Sequence, residues 1–169
     1  MKHTRAAAGK GEPEAGSGEL RACARAFVTE LIRLQDELSQ RGSDTFAEPA
    51  DHEADGDAGP ATDSNWVRVQ ADQVHRRLSA VLDRYGDALR RRGSGLYFAE
   101  ADYALSALAD ELLLHEIDWV GSDLWREYLL EGARFGTEAA GDRLFERIDA
   151  LRGQPDAAYG ELASVYLLV

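Results

Sequence analysis

Glu111 and His115 are four residues apart, a spacing that puts a carboxylate and an imidazole on one face of a helix. With Asp118 following, and Asp110 and Glu116 beside them, the set could ligate a divalent metal. A metal centre needs three or four convergent ligands, and this spacing matches no zinc or di-iron pattern. Ion pairing and helix capping account for the same residues. Asp110 and Glu111 could also act as an acid–base pair, but neighbours on a helix point roughly 100° apart. Gly93-Ser94-Gly95 is too short for a phosphate loop and follows no strand. No serine lies in a nucleophile-elbow context. The single cysteine, Cys23, excludes an internal disulfide framework and a Cys-based zinc cage. The expectation is a chain with no catalytic residues, no metal and no cofactor.

The elements that must position these groups read as helices. Leu20, Ala24, Phe27, Leu31, Leu34 and Leu38 are spaced four and three apart in turn, which makes one helical stripe with Val28 and Ile32 beside it. That helix is expected over about Glu19–Arg41, ending at Gly42. Trp66, Val69, Val74, Leu78, Val81, Leu82, Tyr85 and Leu89 make a second stripe, capped at Asp63 or Ser64. Arg90, Arg91 and Arg92 at its end complement the helix dipole, a plainer reading than a phosphate site. A third helix is expected from about Phe98 to His115, through Ala101, Leu105, Leu108 and Leu112. Ser122 can cap a short helix holding Leu124, Trp125, Tyr128 and Leu129. Thr137 can cap another, through Ala140, Leu144, Ile148 and Leu151. Pro155 suits the first turn of a last one, which buries Leu162, Val165, Tyr166 and Val169. No alternating strand pattern and no internal repeat is present. The fold class expected is all-α, with six to eight helices and no sheet.

The 169 residues carry 19 Lys+Arg against 31 Asp+Glu, a net charge of −12. So acidic a chain is a poor binder of nucleic-acid phosphates or anionic lipid. Hydrophobic residues make up 44 %, enough for a packed core. The acidity is uneven. Gly42–Ser64 holds seven acids and no Lys or Arg, along with Pro49 and Pro60. Such a segment buries too little to offset its ordering entropy, so residues 42–62 are expected to form a disordered insert, a solvated linker or else an acidic docking tail. Residues 1–18 are expected to be disordered as well. No apolar run approaches the ~20 residues that span a bilayer. The chain stops at Tyr166-Leu167-Leu168-Val169 in mid-stripe, which suggests an N-terminal piece of a longer protein. Eight of the 14 aromatics fall between Tyr97 and Phe145. Most should be core, with one or two as exposed anchors.

Residues 103–168 also carry a series of short motifs. These are Ala-Asp-Glu (109–111), Trp119 and Trp125 six apart, Leu-Glu (130–131), Phe-Gly-Thr (135–137) and Gly-Asp-x-x-Phe (141–145), ending in Glu-Leu-Ala-Ser-Val-Tyr-Leu-Leu. In order and spacing this block resembles the DotU/TssL (ImpK) family of type VI secretion, related to the type IVb DotU proteins. Residues 19–41 and 63–97 fit the family's leading helices only in pattern.

The resemblance implies a cytoplasmic domain at the bacterial inner membrane, shaped as a hook of two small packed helical bundles. In the family this domain precedes a single membrane helix near the C-terminus, and some members add a peptidoglycan-binding domain. It implies an IcmF/TssM-type partner, the TssJ lipoprotein complex, the TssK baseplate component and possible self-association, in a structural role with no known reaction. The family's Asp-Glu pair maps onto Asp110 and Glu111. With Trp119 and Trp125 they form the expected partner-binding cleft, set against a plainer role bracing helix ends. Two features depart from the family pattern. The Leu-Gly-Phe-x-Gly-Lys/Arg-Tyr stretch and membrane helix are absent, and Leu144 stands where Phe is common. The competing readings are a soluble helical regulator with a peptide groove and a metal-dependent helical enzyme using Glu111, His115 and Asp118.

Overall fold

A computed structural model describes residues 18–45, 61–93, 95–137, 146, 149 and 157–167. The helices follow the apolar stripes. α1 spans Glu19–Thr45, α2 Ala61–Arg91 and α3 Gly95–Glu111, and α3 runs into a π-helical turn at Leu112–Glu116. α4 (Ser122–Trp125) and α5 (Leu130–Phe135) are short, and α6 covers Ala157–Tyr166. Among the described residues there is no strand, and no helix is long and apolar enough to cross a membrane.

α1 and α2 lie antiparallel because each offers one apolar stripe to the other. Leu20, Phe27, Leu31, Leu34 and Leu38 of α1 are buried, as are Val74, Leu78, Leu82 and Leu89 of α2. Ion pairs fix the register: Arg92 with Glu19 at one end, and Arg77 bridging Glu30 and Glu37, both at 2.6 Å, further along. These pairs are partly exposed, so each contributes about 0–1 kcal/mol and aligns more than it stabilises. The basic run at the end of α2 has structural partners. Arg90 pairs with Asp87 and lies over the Phe98 ring at 5.6 Å, and Arg92 takes Glu19. Gly86 lets α3 approach closely, since a Cβ there would sit 2.5 Å from the Phe98 ring.

α3 is the central element. Residues Ala101 to Ala107 are all buried, and the helix packs against α1, α2, α5 and α6. A helix apolar on nearly every side belongs inside a core. The buried apolar side chains, from Leu20 on α1 to Val165 on α6, consequently form one continuous cluster. This corrects the expectation of two small bundles: among the described residues there is one core, built around α3.

Several boundaries also differ from the sequence reading. α1 continues past Gly42 to Thr45 and α2 starts at Ala61, so helix runs into both ends of the segment expected to be disordered. Its remainder, residues 46–60, lies outside the described residues, as do residues 1–17, Phe145 and most of the helix expected after Thr137. Val69 and Ile32, expected on the stripes, are about half exposed. The third helix stops at Glu111, where a π turn carries the Ile117 N–H back to the Leu112 carbonyl at 2.8 Å. The helix expected from Ser122 through Leu129 is cut to Ser122–Trp125; the chain turns over 126–128, and α5 starts as a separate helix after Leu129 (φ −49°, ψ 127°). Ser122 is the first helical residue rather than the cap.

Candidate partner-docking site

The break at Leu129 leaves α5 with free backbone N–H groups at its start and no side-chain cap of its own. Asp110, from the last turn of α3, supplies the missing acceptor. Its Oδ1 accepts from the Leu130 N–H at 2.9 Å and its Oδ2 from the Glu131 N–H at 2.9 Å. Oδ1 also accepts from the Trp125 indole at 3.0 Å. One buried carboxylate therefore caps α5 and ties down the residue that ends α4. Burial pushes its carboxyl up to about 6; the backbone donors and then the indole pull it down, and neighbouring Glu131 adds to the rise.

Glu131 is buried as well. Its Oε1 accepts from the Tyr103 hydroxyl at 2.9 Å and from the Thr137 hydroxyl at 2.7 Å. A second clamp lies beside the first. Arg134 forks onto Asp102, with two N–H···O bonds of 2.8 Å each, and reaches Asp83 on α2 at 3.0 Å. Burial raises Asp102, with Arg134 opposing. Asp102, Ser106 and Asp110 recur every four residues, so one polar row of the otherwise apolar α3 faces α5. The interval of four is the sequence signal for this row; Glu131 stands in the Leu-Glu motif, and Asp102 and Arg134 belong to none of the motifs.

The aromatics complete the scaffold. Trp125 is fully buried, with Trp119 edge-on at 6.0 Å, Tyr128 stacked at 6.4 Å and His75 at 6.3 Å. The Trp119 indole donates to the Leu113 carbonyl in the π turn at 2.9 Å. Asp110, Trp119 and Trp125 lie together inside the molecule, with Trp125 touching both of the others. Glu111 alone of the four is exposed. Asp110 braces the start of α5 from within the core. Among the described residues no three His, Cys, Asp or Glu side chains gather as a metal site, so Glu111, His115 and Asp118 form no ligand set.

Outside this scaffold a cleft of about 800 Å³ opens between α2 and the 126–136 segment. Asp72 and His75 line it from α2, with Arg126, Glu127 and Tyr128 opposite and Gly132 on α5. Burial lowers the His75 imidazole; Asp72 opposes this and Arg134 reinforces it. The two clamps set the position of one whole wall of the cleft.

A family model described as the type VI secretion system protein DotU matches residues 60–169. The chain belongs to the DotU family. The DotU match takes in α2 through α6, and with them both clamps and the cleft; α1 precedes it. DotU is a structural family of the type VI secretion system and is not known as an enzyme. No curated protein and no solved structure matches the chain.

Proposed function

We propose that this DotU chain is the cytoplasmic domain of a structural component of the type VI secretion membrane complex. In this reading it docks the baseplate through a TssK-type protein and holds the IcmF/TssM-type partner, alongside the TssJ lipoprotein complex, at the inner membrane. The DotU match over residues 60–169 carries the proposal. The geometry supports it from another side: the buried acids Asp102, Asp110 and Glu131 are engaged in holding α5, a design suited to a rigid adaptor. The residues proposed to meet partners are the exposed Glu111 and the rim of the cleft, with Asp110, Trp119 and Trp125 positioning them.

The test is co-expression of the chain with TssK-type and TssM-type proteins, followed by affinity purification. Both partners should be retained by the wild type, and at least one should be weakened several-fold by Glu111→Lys with circular dichroism unchanged. Retention of neither partner by the wild type would sink the docking role. A soluble peptide-binding regulator would instead purify without either protein.

A further inference from the structure

The cleft between α2 and the 126–136 segment contains two carboxylates and one guanidinium, and their commitments differ. Asp72 is paired with Arg76, and Glu127 with Arg68 at 3.3 Å. The Arg126 guanidinium makes no hydrogen bond or ion pair among the described residues, and neither does the Tyr128 hydroxyl or the His75 imidazole. The groups left uncommitted at the cleft are therefore mostly donors: a permanent cation, a phenol and an imidazole. Each of the two lining acids is paired with an arginine, so Arg126 is the unpaired charge among the described residues that line the cleft. The far wall is low at Gly132. A Cβ there would meet only Leu129 Cβ at 3.7 Å and the Thr137 carbonyl at 4.0 Å, so the fold itself does not demand a glycine. Glycine in a helix costs about 1 kcal/mol relative to alanine, and here it lies on the cleft wall.

We infer that this cleft receives an acidic segment of a partner protein, with Arg126 taking a partner carboxylate and Tyr128 and His75 supplying further hydrogen bonds. Charge complementarity argues for this occupant, because Arg forks onto carboxylates and the cleft's own acids are already paired with Arg68 and Arg76. The inference deepens the docking role proposed above by naming the chemistry of the partner's surface.

The test uses the full chain and a fluorescein-labelled decapeptide of alternating Glu and Ala, with a Gln-for-Glu peptide as control. Fluorescence anisotropy should show the Glu peptide binding at least ten-fold more tightly than the Gln peptide. Arg126→Glu should reduce that binding at least ten-fold. Arg91→Glu, the same charge change at the end of α2, should leave it within two-fold. Gly132→Leu, which fills the cleft without altering charge, should weaken it as well. Equal binding of the two peptides, no binding of either, or equal effects of the two arginine variants would overturn the proposal. Concentration-dependent dimerisation abolished by Arg126→Glu would also overturn it, by making a second copy of the chain the occupant. Because the peptide assay contains no secretion protein, it can fail while co-purification succeeds, which separates this inference from the docking role.

Discussion

At the scale of single residues, the decisive contrast is between Asp110 and Glu111. They are adjacent in sequence, yet one is 5 % exposed with three donors on it and the other faces solvent. Removing the buried acceptor leaves two backbone N–H groups and an indole without a partner, at about 1–3 kcal/mol for each group that water cannot reach. Asp110→Ala should therefore destabilise the domain by about 3 kcal/mol in urea denaturation, whereas Glu111→Ala should change it by less than about 0.5 kcal/mol. The pH dependence has a definite sign. Asp110 moves from an ordinary 3.8 up to about 6, so the native state binds more protons than the unfolded chain between those values. Its contribution to stability is fully present below about 4, declines as pH rises toward 6, and is flat above. A carboxyl ¹³C titration of Asp110 with a midpoint near 4 would contradict this. Cys23 gives another check. Burial, the main cause, and the charge of Asp102 push its thiol up to about 12, so it should resist a thiol reagent at pH 8 until the protein is denatured.

At the scale of elements, α5 is the informative case. Six residues are too few for a helix to stand alone in water. It is held by Asp110 at its N-terminus and by the Arg134–Asp102 fork from its last turn, and it closes on Gly136 in the left-handed conformation (φ 65°). Breaking a buried pair from one side strands the other charge, at about 3–5 kcal/mol. Arg134→Ala should fall in that range, and the Asp102→Ala/Arg134→Ala double variant should be less destabilised than the two single effects added together. A double-mutant cycle with no coupling would show that α5 is held by apolar packing alone. The sequence made α1 and α2 legible through their stripes, since one amphipathic face is a local property. It did not make α5 legible: six residues carry less than two turns of periodicity, and the α3 side chains that stabilise it lie 20 and 32 residues away.

At the scale of the molecule, the unit that folds is larger than the unit the family model recognises. α1 lies outside the DotU match, yet it contributes Leu20, Cys23, Ala24, Phe27, Leu31, Leu34 and Leu38 to the common core and packs against α2, α3 and α6. A chain starting at residue 60 would expose the buried faces of all three helices. It should lack the cooperative thermal transition that circular dichroism is expected to show for the full chain. A sharp transition retained by the shortened chain would show that α1 is an accessory rather than part of the core.

The sequence by itself determined the helical class, the inward faces of the long helices and the DotU kinship, because periodicity and motif order are written along the chain. Tertiary structure alone decided that Asp110 braces while Glu111 faces outward. It alone merged the helices into one core around α3, and left Arg126 uncommitted at a cleft. The physical reason is that a polar group's role is set by the partners that reach it and by the water it loses, and both depend on residues far away in sequence.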